Sequence, residues 1–334
     1  MPATTEYYRP IPQPEGGRWR LAGGWTGFSQ FERLTRGAAP QIVDTAPDAV
    51  IEALTAPRAA LLGLSLDRPR LMGIVNATPD SFSDGGRYDA PRHAAALAAA
   101  GADLLDIGGE STRPGAGEVA AAEETARILP AIRAGAALAP VSVDTRKAAV
   151  AGPALDAGAG MINDVSGLDF DPALTGLVAA RGVPVCLMHA QGLPQTMQDD
   201  PRYDDVLLDV YDALAARIAR AGAAGIPRHR IVIDPGIGFG KSQAHNLAIL
   251  RRLSLYHGLG CAILLGVSRK RFVGAIGGAA APGDRGPGTL ALTVMAVAQG
   301  VQIHRVHDVA AHAQGLRLWG AVNGNDNKNE RAET

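Results

Sequence analysis

Eight short aliphatic runs in this sequence end in, or lead straight into, side chains able to hold a ligand. The first stops at Asn76, the second opens into DIGGESTRPG, and the third and fourth stop at Asp144 and at Asn163–Asp164. The fifth gives Met188–His189, the sixth Asp234 in DPGIGFGK, the seventh Ser268–Arg269–Lys270, and the eighth Arg305 and His307. Polar residues after strands are often only turn formers, so one such ending says little. Eight of them on one face of a parallel barrel would form a site.

Asp144 and Asp234 follow Val- and Ile-rich backbone, where water is scarce and a carboxylate must be paired or richly hydrogen-bonded. Such a group suits an acid/base step, a metal, or a cyclic amidine whose N–H groups dock on it as a fork. Asn163 is donor and acceptor at once, which extends the match to a planar heterocycle with mixed edges. The competing reading is structural, with the two aspartates paired to Arg146 and Lys241. Arg305 and His307 share a strand face roughly 6.7 Å apart, and Asp308 reads as the N-cap of the helix that follows. A guanidinium and an imidazole beside a helix N-terminus would take a phosphate or diphosphate. Alternatively, Arg305 is paired with a neighbouring carboxylate.

Two tempting motifs fail. GIGFGKS lacks the first glycine of a phosphate-binding loop, because that position is Pro235, and Gly236, Gly238 and Gly240 do not fit the dinucleotide spacing either. His304 and His307 point to opposite faces of a strand and His312 lies in the next helix, which disfavours zinc.

The elements that must position these residues alternate. Strands are expected at residues 70–75, 102–107, 141–143, 160–163, 183–188, 231–233, 261–265 and 301–306, with Ala-rich amphipathic stretches between them. Right-handed crossovers then give a parallel sheet, best closed as a (β/α)8 barrel over residues 70–322, with an open doubly wound sheet as the alternative. Residues 1–69 stand outside this rhythm. Tyr7, Tyr8, Trp19, Trp25, Phe28 and Phe31 crowd their first half, so the segment is expected to fold against the barrel or a partner subunit. Residues 323–334 read as a disordered polar tail.

Composition agrees with an α/β enzyme. The 334 residues are 47% hydrophobic and only 4% aromatic, with 41 Gly, which suits short turns better than a β-sandwich. With 32 basic against 33 acidic residues, no field of one sign steers the chain to nucleic acid or an anionic membrane. No run approaches the ~18 apolar residues of a membrane span, and the N-terminus lacks a secretory signal. Cys186 and Cys261 lie in apolar runs and read as free thiols, so a cytoplasmic protein is expected.

At these residues a family resemblance emerges. GIVNATPDSFSDGG and ADLLDIGGESTRPGA resemble the first two signatures of the dihydropteroate synthases. SVDT, INDVSG, LMHAQGLPQTMQ, DPGIGFGK, GVSRKRF and RVHDVAAHAQ follow in the family's order, so the likeness covers residues 70 to about 320. The resemblance implies a pterin-binding barrel of folate biosynthesis, joining 4-aminobenzoate to 7,8-dihydropterin-6-ylmethyl diphosphate with release of diphosphate. It implies that Asp144, Asn163, Asp234 and Lys270 bind pterin with Met188 and Phe239 nearby, and that Thr112, Arg305 and His307 contact diphosphate. Asn76 would be the Mg2+ ligand, Arg113, Pro114 and Ser268 would line the aminobenzoate pocket, and Phe82, Asp84 and Arg113 would sit on mobile lid loops. Asp144, Asp234, Lys270 and Arg305 form the expected catalytic set, and the resemblance implies a homodimer of a family that sulfonamides target. The alternatives are a methyltransferase acting between methyltetrahydrofolate and a corrinoid protein, and a non-catalytic pterin-binding paralogue. The first would have no use for GGESTRPG, and the second predicts damaged loops where both are intact.

Overall fold

A computed structural model describes residues 5–13, 15–78, 89–111, 117–192 and 197–324. Within these, the chain forms an antiparallel sheet followed by a closed barrel. The sheet comprises β1 (Glu6–Gln13), β2 (Trp19–Arg20), β3 (Gly27–Thr35) and β4 (Gln41–Val43), and is followed by α1 (Asp48–Thr55). Pro10 and Pro12 cannot donate to a ladder, and β1 accordingly lies at the end of the path β1–β3–β2, with a register shift between the two prolines.

The barrel strands are β5 (Arg70–Asn76), β6 (Leu104–Gly108), β7 (Val141–Asp144), β8 (Met161–Asp164), β9 (Val185–Met188), β10 (Ile231–Asp234), β11 (Ala262–Leu265) and β12 (Ile303–Val306). They pair in chain order and β12 closes onto β5, as the alternation predicts; the open-sheet alternative is set aside. The intervening helices are α2 (Ala90–Ala99), α3 (Ala121–Ala136), α4 (Ala148–Asp156), α5 (Pro172–Arg181), α6 (Val206–Ala223), α7 (Gln243–Arg251), α8 (Arg271–Gly277) and α9 (Gly286–Ala298), and α10 (Val309–Val322) ends the barrel. Their starts are written locally. Asp205 accepts from the N–H groups of Leu207 and Leu208 at the head of α6, and Asp171 caps α5 while also receiving the Ala148 N–H of α4.

Side-chain alternation explains where the site lies. Met72, Leu104, Met161, Cys186, Val232 and Ile303 form one apolar cluster of inward-facing strand residues. Two residues further along the same strands, the same face carries Asp106, Asn163, Met188, Asp234 and Arg305. An apolar layer thus supports a polar layer at the C-terminal mouth. Leu61 and Leu66 join the apolar cluster, with Leu62 and Leu64 packed against it.

The N-terminal segment packs on the barrel of its own chain. Its core of Leu21, Phe28, Phe31 and Leu54 is buried. The Tyr7 hydroxyl donates to Asp212 of α6 at 2.8 Å, the Trp25 indole to the Val297 carbonyl at 2.8 Å, and the Ser254 hydroxyl to the Pro10 carbonyl at 2.9 Å. Glu32 accepts from both Arg9 and Arg252. The first barrel strand begins at Arg70 and α10 ends at Val322; residues 325–334 of the tail lie outside the described residues. Both cysteines are buried free thiols, and no helix among the described residues is long and apolar enough to cross a membrane.

Candidate active site

Strand register sets the rim. Asn76 pairs with Gly108, Gly108 with Asp144, and Asp144 with Asn163, while Met188 pairs with Asp234. Side chains from opposite sides of the barrel then meet at its centre. Arg305 donates through Nε to Asp106 at 2.5 Å and through a terminal nitrogen to Asp144 at 2.7 Å, while Asn163 Nδ2 donates to the same Asp106 oxygen at 3.1 Å. One guanidinium therefore serves two carboxylates. Burial, together with the Asp106 charge and against the pull of Arg305, raises the proton affinity of Asp144. Its second oxygen, Oδ1, is buried without a partner among the described residues, and so is Oδ1 of Asp106. Unmet buried acceptors at the barrel mouth invite a ligand rich in N–H donors.

Asp234 receives the Gly236 N–H on Oδ1 at 2.7 Å. Burial raises its pKa, with Lys270 opposing the shift. Lys270 lies 4.5 Å over the Phe239 ring and donates to the Ile237 carbonyl; burial lowers its pKa to about 8, against the attraction of Asp234. Met188 is buried beside this group at the end of β9. Acceptors on Asp144 and Asp234, the Asn163 amide, a lysine and flanking Phe239 and Met188 together describe a slot for a flat, polar-edged heterocycle.

The glycine run after β10 has a structural cause. Gly236 and Gly240 have φ of +68° and +60°, and a Cβ on them would come within 1.8 Å of the His189 carbonyl and 2.3 Å of the Gln191 carbonyl. Beneath the run, buried Lys241 donates to the carbonyls of Gly236 and Phe239 and meets His189 Nδ1 at 2.9 Å. Lys241 therefore holds this turn instead of pairing with Asp234. Arg146 likewise bonds Glu110 and stacks on Phe170, so neither proposed structural partner of the two aspartates is used.

Arg305 and His307 take separate partners. The His307 Nδ1 lies 2.8 Å from the Ser268 hydroxyl, which also receives the His307 N–H, so Ser268 and His307 form one unit beside α10. Arg305 is paired with carboxylates, as its alternative reading has it, which leaves open its use by an incoming anion. Asp308 occupies the N-cap position of α10, but its carboxylate is drawn to Arg269 and does not cap the helix. His304 and His312 spend one ring nitrogen each on the Val301 and Asp308 carbonyls. Thr112, Arg113, Pro114, Phe82 and Asp84 lie outside the described residues.

Sequence reasoning missed two acidic groups. Asp106 is fully buried in the middle of β6, where a charge within LLDIG is the signal. Glu110 joins Lys147, Arg146 and the Val119 N–H, and Lys147 also reaches Glu124. This cluster fixes the two flanks of residues 112–116. Among the described residues, no three acidic, His or Cys side chains converge as a metal site.

This geometry matches known proteins. The model of the family described as "pterin binding enzyme" covers residues 72–307, and the chain belongs to that family. Its relatives there are dihydropteroate synthases. The Escherichia coli K12 enzyme is 44% identical over 261 residues, covering 76% of this chain and 92% of the relative. That of Neisseria meningitidis serogroup B is 46% identical over 269 residues, covering 78% and 94%. Among solved structures, Xanthomonas albilineans dihydropteroate synthase with 4-aminobenzoic acid has a TM-score of 0.75 and 48% identity over 80% of this chain and 98% of that one. The same enzyme in complex with 7,8-dihydropteroate gives 0.72 and 46%, again over 80% and 98%.

Proposed function

We propose that this chain is a dihydropteroate synthase of folate biosynthesis, condensing 7,8-dihydropterin-6-ylmethyl diphosphate with 4-aminobenzoate. The observation that carries the reading is the set Asp144–Asn163–Asp234–Lys270 gathered with Arg305 at one mouth of the barrel. Asp234 accepts the two-pronged edge of the aminopyrimidinone, Asp144 and Asn163 meet the opposite edge, and Lys270 donates to the ring. Phe239 and Met188 cover its faces, Thr112, Arg305 and His307 take the diphosphate, and Arg113, Pro114 and Ser268 line the aminobenzoate side.

Bond breaking comes first. Diphosphate leaves as Arg305 neutralises its oxygens, and the electron-rich dihydropterin delocalises the resulting methylene cation. The aromatic amine attacks that carbon and then loses a proton, so no protein nucleophile is required. Mg2+ fits as a companion of the diphosphate, whose charge it neutralises when bound. Asn76, at the end of β5, would offer it a single neutral oxygen, so its binding would depend on the diphosphate. Ile276, Met295, Leu318 and Val322 are exposed on the outer helices α8, α9 and α10, which supports a homodimer and is tested by light scattering on the eluted protein. A cytoplasmic location goes with the free thiols.

The deciding experiment measures diphosphate release with each substrate alone and with both, followed by mass identification of the pteroate product. Release that ignores 4-aminobenzoate, or a methyl transfer to a corrinoid acceptor, overturns the reading.

A further inference from the structure

Asp106 is the most deeply placed charge of the site, and its surroundings are unusual. It is fully buried between Leu105 and Ile107 on a five-residue strand, where an ionised group persists only if its bonds offset desolvation. Both of its observed side-chain bonds go to residues of the pocket and converge on one oxygen: Arg305 Nε at 2.5 Å and Asn163 Nδ2 at 3.1 Å. A carboxylate is an acceptor only. It therefore dictates that Asn163 turns its NH2 group inward, which leaves the Asn163 carbonyl as the acceptor available to a ligand. Arg305 is gripped at Nε, so its two terminal nitrogens project beyond the anchored atom, one of them to Asp144. The anchor is well aimed for a fork that must meet oxygens.

We propose that Asp106 is a positioning residue that sets, through a single oxygen, both the guanidinium of Arg305 and the amide orientation of Asn163. It joins the diphosphate end of the site to the ring-reading end, so that one buried charge holds the leaving-group contact and the ring contact in fixed relation. The inference rests on the proposed condensation activity. Asp106 acts only through its two partners.

Double-mutant cycles test it, because a residue acting through another loses its effect once that other is removed. Asp106→Asn keeps the shape and removes the charge. Losing a charge-assisted anchor predicts a fall of about 10–100-fold in kcat/KM for the diphosphate substrate. In an Arg305→Ala background the same change should cost less, only the share carried through Asn163, and in an Arg305→Ala/Asn163→Ala background it should shift kcat/KM by less than about threefold. For a pterin lacking diphosphate, calorimetry should give a loss of affinity in Asp106→Asn that vanishes in an Asn163→Ala background. Should Asp106→Asn fail to fold, Asp106→Ser, which leaves room for water, enters the same two cycles. Equal losses in both backgrounds of either cycle, as a general folding defect would give, overturn the proposal, and so does an unchanged Asp106→Asn enzyme. A wild-type protein that releases no diphosphate with both substrates refutes the functional reading instead, and the two failures are thereby distinguished.

Discussion

Asp234→Asn separates binding from stability. In the native protein Oδ1 of Asp234 already holds the Gly236 N–H at 2.7 Å, in a buried position. An asparagine must keep its carbonyl on that N–H, which forces its NH2 group into the place of Oδ2. The ligand edge then meets a donor where it needs an acceptor. One lost charge-assisted bond is worth about 1.5–3 kcal/mol, and the donor–donor approach brings the total to about 3 kcal/mol or more. That corresponds to at least about 10²-fold in Kd. Stability should move the other way. Burial raises the pKa of Asp234, so the folded chain binds this proton more readily than the unfolded chain does. The ionised group thus costs stability, a cost that sets in as pH rises past the unfolded value of about 3.9 and is complete above the raised folded value. The variant carries no such cost and should melt no lower than wild type at pH 8, the gap narrowing as pH falls towards about 4. Calorimetry with a diphosphate-free pterin and thermal melting followed by circular dichroism measure both. Unchanged affinity in a folded variant would refute the assignment of Asp234 to the ring edge, and a lower melting temperature at pH 8 would refute the burial argument.

The other predictions are brief. Lys270, held at about pKa 8 by burial, should lose its proton as pH rises through that value, so pterin affinity should decline above about pH 8; affinity constant from about pH 8 to about pH 9.5 would show that its charge is not used. Arg305→Ala should slow the chemical step by about 10²–10³-fold. By stranding Asp106 and Asp144 it should also destabilise the fold by about 3–5 kcal/mol at pH 8. That penalty should be smaller at pH 5, where Asp144, its proton affinity raised by burial, takes up a proton; urea titrations at both pH values decide it. Phe28→Ala empties the fully buried centre of the N-terminal sheet and should cost about 3–5 kcal/mol, read by urea titration. The kcat of the folded variant should be retained at low temperature.

What was legible in the sequence follows from locality. All eight barrel strands announce themselves because each is a short, largely aliphatic run that ends in, or leads into, polar residues, and the rim follows from alternation along each strand. The partners of those polar residues were not legible. Arg305 reaches carboxylates on β6 and β7 across the barrel, 199 and 161 positions away in the chain, and no local pattern encodes that meeting. Asp308 has a helix-capping position but a cross-loop arginine outcompetes the helix for it, a tertiary effect that overrides a local rule. Asp106 was not legible as a site residue because its charge lies within β6, whereas the polar signal marks strand ends. The aromatics of the first 31 residues carry no information on which surface receives that segment, and Trp25 meets the Val297 carbonyl far along the chain.

The fastening of the N-terminal sheet also bears on how the chain is made. Tyr7 docks on a residue 205 positions later, Pro10 on one 244 later, and Trp25 on one 272 later. Ribosomes add roughly 5–20 residues each second, so the seat for Trp25 leaves synthesis roughly 15–55 s after Trp25 itself. The segment made earlier is thus among the last to find its place. Over that interval the side chains of Tyr7 and Trp25, buried in the finished protein, have no barrel to cover them. Vectorial synthesis therefore runs opposite to docking order here, and the nascent chain, more than the finished one, is where this protein is exposed to misassociation.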